Sequence, residues 1–314
     1  MSVMRDGRSA MVECGATAGL DLDLNFDMER PEALWLVLRR VIHAGGMQIE
    51  HLVYDGRMLD CDPVDERHDA FQITVHLKDC DRARIWRDGV QVHDGAMTKG
   101  ALRILDLRDR WRCQHLSPFD VMRYNISLDQ IRAFAKEAGR LEFGALANSI
   151  GGHDEIVLGL SQALLPVFSD AMAAHPLFLE HINLALLTHV TQAYGGLHFP
   201  AGKKGILAPW QERRAAEFLA AHVNGQFSIA TLAQECGLSR SYFTKAFKET
   251  FGKTPLRWLT EYRVARASDL LLSNASIAEV AVICGFADQS HLTRAFAEVI
   301  GEPPGNWRRH RRSA

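Results

Sequence analysis

Arg240, Ser241, Thr244, Lys245 and Lys248 fall at helical spacing on one side of a short stretch whose other side carries Phe243, Ala246 and Phe247. Short hydroxyl and basic side chains on the free face of a half-buried helix can donate hydrogen bonds to base edges and positive charge to phosphates. That is the chemistry of a helix lying in a DNA major groove. Such a helix needs a partner to hold it. Just upstream, Ile229, Leu232, Ala233 and Cys236 recur at three- and four-residue steps, so a first helix buries one face. Gly237 ends it, because the sharp turn needs a residue that accepts positive φ. Leu238 fills the corner, and Ser239 is the expected N-cap of the second helix. Phe227 to Trp258 therefore reads as helix, turn and helix.

The stretch occurs twice. At an offset of 48, Ser228, Ile229, Ala233, Cys236 and Gly237 match Ser276, Ile277, Ala281, Cys284 and Gly285. One residue is inserted in the second turn. At an offset of 49, Ser241, Thr244, Ala246, Phe247, Glu249, Gly252, Pro255 and Trp258 match Ser290, Thr293, Ala295, Phe296, Glu298, Gly301, Pro304 and Trp307. An internal repeat at fixed period outranks any single motif. Two units in one chain make a tandem reader. Between them, Pro255 to Ser273 opens on a proline and reads as one helix. Nineteen residues give a rod of roughly 28 Å, against about 34 Å for one turn of DNA. A spacer of that length can set two recognition helices in successive grooves without a second chain.

These residues resemble the DNA-binding domain of the AraC/XylS family of bacterial transcription regulators. The resemblance rests on the run CGLSRSYFTKAFKETFGKTPLRWL and on Arg263, Ala267, Leu270 and Leu271 in the spacer. It also rests on ICGFADQSHLTRAF, followed by Pro304 and Trp307. It implies base contacts from Ser241, Thr244 and Lys245 in the first unit, with Arg240 beside a small Ser241. In the second unit it implies Gln289, Ser290, Thr293 and Arg294. It further implies double-stranded DNA and RNA polymerase as partners, as for an activator, a cupin-like N-terminal β-barrel that senses a small-molecule effector, and a homodimer.

Charge agrees once the chain is split. The whole carries −2, but Pro209 to Ala314 holds fourteen Lys and Arg against ten Asp and Glu, a net of +4, leaving −6 for the rest. The positive end is the one with the repeat. The six cysteines, Cys14, Cys61, Cys80, Cys113, Cys236 and Cys284, show no zinc spacing. Cys236 and Cys284 read as packing residues. No signal peptide or membrane-length apolar run is evident, so a reducing cytoplasm is expected and no membrane.

The elements before the repeat point to an α+β chain. Residues 1–30 show no period, and MVECGATAG reads as a weak strand or an arm. PEALWLVLRRV from Pro31 is too short to decide between helix and strand. Met47–Tyr54, Phe71–Leu77, Ala83–Trp86, Ala101–Leu107, Trp111–His115 and Phe119–Ile126 read as strands, and Asp55-Gly56, Asp88-Gly89 and Asp94-Gly95 as hairpin turns. Six short strands with tight turns suggest a small barrel or sandwich. His43, His51, His68, His76, His93 and His115 form no His-x-His pair, so metal catalysis is not expected; His76 reads as a solvated strand residue. Trp86, Trp111, Phe119 and Tyr124 are candidates to line an effector site.

A helix capped by Ser127 follows, then two longer ones over His153–Met172 and Leu177–Tyr194, split by Pro176. The first carries Ile156, Leu160, Leu164 and Phe168 on one side; the second carries Phe178, Ile182, Leu186 and Val190. Leu158, Leu165, Leu184 and Leu187 lie off those stripes. One helix pair against a barrel cannot easily cover all of it, which points to a homodimer interface. Gly195 to Ala208 reads as a linker. Trp210, Ala215, Phe218, Leu219 and Val223 form the buried side of the helix after it, and Arg213 and Arg214 its wet side. The expected organisation is thus residues 1–195 for effector sensing and dimerisation, 196–208 as linker and 209–314 for DNA binding, with no catalytic residue, metal or cofactor.

Two other readings start from the same residues. An enzyme fused to this module, such as an alkyl-transfer repair protein, needs an activated cysteine, and none has such a neighbourhood. An effector-independent DNA-binding protein whose N-terminal part only dimerises fits the same residues.

Overall fold

The computed structural model describes residues 20–21, 37–56, 59–60, 68–169, 175–200, 205–225 and 227–312. MVECGATAG, Cys14, Cys61 and residues 31–36 lie outside them. The N-terminal part packs two antiparallel sheets face to face. Strands β1 (Leu20–Asp21), β2 (Val37–Ala44), β3 (Met47–Tyr54), β5 (Ala70–His76), β8 (Ala101–Asp106), β10 (Phe119–Ser127) and β11 (Ser149–His153) form the larger sheet, in the order β1-β2-β3-β10-β5-β8-β11. The smaller is β4 (Leu59–Asp60), β9 (Trp111–His115), β6 (Cys80–Arg87) and β7 (Val90–Met97), in the order β4-β9-β6-β7. The expected closed barrel is not present among the described residues: each sheet is an open row of strands, so the architecture is a sandwich.

One expected turn changes. Asp94-Gly95 is no turn. Both residues lie inside β7, where the Asp94 carboxylate accepts from Arg82 Nε at 2.8 Å and Arg84 Nε at 3.2 Å. The tight turns are Gly45-Gly46 between β2 and β3 and Asp88-Gly89 between β6 and β7, all four residues at positive φ. Such turns match the right-handed twist of the flanking strands.

The larger sheet buries both faces. Ile49, Phe71, Ile73, Val75, Leu102 and Ile104 face a helical layer, while Leu52, Leu105, Phe119 and Val121 face the smaller sheet. The layer is α1 (Leu128–Glu137), α2 (Glu155–Ser169) and α3 (Pro176–Ala193). Ser127 caps α1, accepting the Gln130 amide at 3.1 Å, and Asp154 Oδ1 accepts the amides of Ile156 and Val157 at the start of α2. Each such cap contributes about 1 kcal/mol. The apolar stripes of α2 and α3 bury only in part. Leu164, Phe168, Leu186 and Val190 are in the core, but Ile156, Leu177, Phe178 and Leu184 are exposed. The off-stripe Leu158 and Leu187 are buried. The core side of each helix is therefore rotated from the one the spacing suggested.

Among the described residues seven helices follow: α4 (Pro209–Ala221), α5 (Ile229–Glu235), α6 (Arg240–Phe251), α7 (Pro255–Leu271), α8 (Ile277–Ile283), α9 (Gln289–Ile300) and α10 (Pro304–Arg312). Two separate cores hold them. Leu219, Leu232, Ala233, Cys236, Phe243, Phe247, Phe251 and Trp258 make the first; Val264, Leu271, Val280, Ala281, Cys284, Leu292, Phe296 and Trp307 make the second. The repeat is thus a repeat of cores, with Trp258 and Trp307 in matching places. Trp210 is the exception on α4: it is 53% exposed, not buried. The ends of the linker are anchored, since Leu197 is buried against the sandwich side and Leu207 against the first helical core.

The two parts of the chain are joined by ion pairs. Arg140, after α1, is 3% exposed. It pairs with Glu212 of α4 and donates to the carbonyls of His198 at 2.9 Å and Thr250 at 3.2 Å. Its guanidinium lies 4.8 Å from the centre of the Phe251 ring. Arg132 of α1 meets Asp269 of α7 at 2.5 Å. At the far end, Arg311 of α10 reaches Asp106 at 2.9 Å and Asp109 at 3.2 Å, and Arg87 meets Glu302 at 3.5 Å. Between these contacts runs a cleft of about 600 Å³, lined among others by Glu142, Tyr194, Arg257, Glu261, Trp307 and Arg311.

Candidate nucleic-acid interface

Each unit presents its second helix by the same local chemistry. In the first, Gly237 sits at φ 66° and donates to the Gln234 carbonyl; Leu238 donates to Ala233 and packs on the core. Ser239 then caps α6, accepting the Tyr242 amide at 3.3 Å. In the second, Gly285 sits at φ 77° and Phe286 takes the place of Leu238, donating to Ala281 at 2.9 Å. The inserted residue is Ala287. It carries the chain one step further before Asp288 caps α9 by accepting the His291 amide at 2.7 Å. Both helices end on a left-handed glycine, Gly252 and Gly301. The spacer α7 runs for 17 residues, capped by Thr254. It is two residues shorter than the sequence suggested, or about 26 Å.

On α6, Arg240, Ser241, Thr244, Lys245 and Lys248 are exposed, while Phe243, Ala246 and Phe247 are buried. On α9, Gln289, Ser290 and Arg294 are exposed and Thr293 is half-buried. The two threonines occupy matching places and behave alike: Thr244 Oγ1 donates back to the Arg240 carbonyl at 2.9 Å, and Thr293 Oγ1 to Gln289 at 2.8 Å. That leaves the hydroxyl oxygen as acceptor and the methyl group as an apolar contact for a base edge. Among the described residues Arg240, Lys245, Lys248 and Arg294 make no ion pair, so their charge faces solvent. Other cations of this half are engaged. Arg214 pairs with Glu235, Arg257 with Glu261 and Glu298, and Arg308 donates to the Ala275 carbonyl at 2.7 Å. Arg308 is half-buried and tied to its own chain. Tyr242 was missed. It is 50% exposed on α6, and its one-residue offset from the Phe243–Phe247 stripe was the available signal.

The four aromatics expected to line an effector site do not converge. Trp111 and Phe119 lie between the sheets, Trp111 donating from Nε1 to the Asp106 carbonyl at 2.8 Å. Tyr124 is on the opposite face of the larger sheet, its hydroxyl 2.6 Å from Ser161 Oγ of α2, and burial raises its phenol well above the usual range. Trp86 is half-buried, and Arg112 lies 5.2 Å from its ring centre. His76 is not solvated either: it is 1% exposed, and burial, with Arg103 nearby, holds its imidazole down to about 3. Among the described residues no group of three His, Cys, Asp or Glu could hold a metal ion, and no helix is long and apolar enough to cross a membrane.

Two capped helices, one displaying Arg240, Lys245 and Lys248 and the other Arg294, each with hydroxyls above a small core and joined by one stiff spacer, define a tandem helix-turn-helix module. Comparison with known proteins agrees. A helix-turn-helix domain family matches residues 232–310. A putative AraC-like transcription regulator of Streptomyces lividans is 31% identical over 161 residues, covering 50% of this chain and 53% of that protein. The regulator ExsA of Pseudomonas aeruginosa is 26% identical over 176 residues, 53% of this chain and 63% of its own. Among solved structures, the DNA-binding domain of AdpA in complex with a target DNA shares 36% identity over 32% of this chain and 94% of that one, with a TM-score of 0.30. Through its C-terminal domain the chain belongs to the AraC family of transcription regulators. The match spans about half the length of the Streptomyces relative.

Proposed function

We propose that the chain is a sequence-specific regulator of transcription whose residues 209–314 read double-stranded DNA and whose residues 1–195 sense a small molecule and dimerise, with 196–208 between them. The observation that carries it is the pair of matched helices with free polar faces. Arg240, Ser241, Thr244 and Lys245 on α6, and Gln289, Ser290, Thr293 and Arg294 on α9, are the proposed base-reading residues. Lys248 supplies charge to the phosphate backbone. The relatives' names support regulation, and RhaR of Klebsiella pneumoniae, 30% identical over 97 residues, is named as an activator. Activation through RNA polymerase is proposed on that ground.

Mapping bound sites and then measuring affinity for single-base variants tests the reading. Arg294→Ala is expected to lose about 1–3 kcal/mol of discrimination at one base pair. Lys248→Ala is expected to weaken all sequences alike and to reduce the slope of log affinity against log salt by about 0.9. If Arg294→Ala alters only the salt slope, its role as a base reader is wrong.

The exposed Ile156, Leu177, Phe178 and Leu184 on α2 and α3 support self-association, because four large apolar side chains on one helix pair are costly to leave in water. Phe178→Asp is expected to turn a sedimenting dimer into a monomer. A wild-type chain that sediments as a monomer at micromolar concentration rules the dimer out. The second reading, a DNA-binding protein without an effector, would leave the melting temperature unmoved by any small molecule.

A further inference from the structure

Among the described residues, no carboxylate neutralises one cationic side chain in the sandwich interior. Across the inner face of the larger sheet, Glu50, Arg123, Thr74 and Arg103 stand opposite one another on β3, β10, β5 and β8. Glu50 is already engaged, by Arg39 at 2.6 Å and Arg123 at 3.4 Å. Arg103, 2% exposed, has no carboxylate within ion-pair distance among the described residues. It donates one hydrogen bond, from Nη1 to the Cys113 thiol at 3.4 Å, and its Nε meets no partner. A guanidinium does not give up its proton in a protein. A buried charge without a counterion is strongly unfavourable.

The neighbouring groups are open in the same way. Among the described residues the Thr74 hydroxyl, directly across from Arg103, has no partner, and neither has either ring nitrogen of His76, two residues along the same face. Both side chains are at most 1% exposed. A planar fork of N–H donors, a hydroxyl and a neutral imidazole N–H are the set that binds an oxyanion, and the fork matches a carboxylate two atoms to two. Ile85, Leu105 and Val121 belong to the surrounding apolar core and suit a hydrocarbon body.

We propose that Arg103, Thr74 and His76 form a buried oxyanion site that takes the carboxylate of a small organic acid, and that this acid is the effector. The inference rests on the reading of the N-terminal part as a sensor and gives that sensor its ligand class. It also gives a route outward. Three residues along β8 from Arg103, Asp106 holds Arg311 of the DNA-binding half. A ligand that straightens or shifts β8 acts directly on that contact.

The test is thermal unfolding of the full chain in acetate, butyrate or phenylacetate, against phosphate, sulfate and chloride at equal ionic strength and pH. At least one carboxylate is expected to raise the wild-type melting temperature by about 2 °C or more over chloride. Arg103→Met is expected to lose that rise while melting no lower than wild type in chloride, since it removes an uncompensated buried charge. If Arg103→Met does not fold, Thr74→Val and His76→Phe carry the test, each expected to weaken the carboxylate at least threefold. Three results overturn the site: no carboxylate exceeds chloride, phosphate or sulfate acts in its place, or the variants respond like wild type. A neutral metabolite that stabilises wild type and variants equally would leave sensing intact and refute only the oxyanion site.

Discussion

Gly285→Ala is expected to unfold the second helix-turn-helix unit, while the same change at Gly237, its counterpart in the first, leaves a folded protein. Both glycines hold left-handed backbone, at φ 77° and 66°, so an added Cβ costs about 1–2 kcal/mol in either place. The surroundings separate them. At Gly285 the new Cβ would lie 2.0 Å from the Val223 carbonyl oxygen and 2.9 Å from its carbon, both backbone atoms. The same oxygen accepts from Arg263 Nε at 2.8 Å, so moving it breaks a second interaction. At Gly237 the nearest atom is 4.0 Å away, on the exposed Trp210. Urea unfolding is expected to show a loss of about 4 kcal/mol or more for Gly285→Ala and about 1–2 kcal/mol for Gly237→Ala. Equal losses would refute the steric account. The DNA affinity of Gly285→Ala should fall to that of a single unit, because α9 loses its support while α6 does not.

Arg140→Met is expected to uncouple the two parts of the chain. Its guanidinium is nearly enclosed, and it satisfies Glu212 and the carbonyls of His198 and Thr250 at once. Methionine fills the space but leaves those oxygens without a donor. Removing one partner of a buried pair costs about 3–5 kcal/mol. The lower end applies here, because Glu212 is 21% exposed by side chain and can recover water. Calorimetry is expected to resolve two transitions where the wild type shows one. Arg140→Lys should not restore the single transition, since an ammonium cannot reach three acceptors in different directions. Retention of one transition by Arg140→Met would show that the other contacts suffice.

The C-terminal architecture was readable because its signals are local. Gly237, Ser239 and Thr254 do their work within four residues of themselves, and a repeated core repeats its side chains. The sandwich was less readable. Alternation along Phe71–Leu77 identified two faces, but it separates polar from apolar and not wet from covered. His76 therefore reads as solvated, although the smaller sheet covers it. Arg103, the one cation in ALRILDL, gives no local sign that its face is enclosed. Whether strands close into a barrel depends on pairings between distant segments, which alternation does not encode. Trp86, Trp111, Phe119 and Tyr124 share only a residue type, and the strand faces scatter them. Asp94-Gly95 has the composition of a turn, but the nearby Arg82 and Arg84 hold Asp94 in a strand.

The DNA-binding half is fastened at both ends to one framework, through Arg140 near the first unit and Arg311 beyond the second. While both clasps are shut, the spacing of α6 and α9 is set by the protein and not by the duplex. A helical ladder whose grooves do not match that gauge must bend, or a clasp must open. Stretches that kink easily between the two contact points then gain an advantage that no side chain confers by touching them.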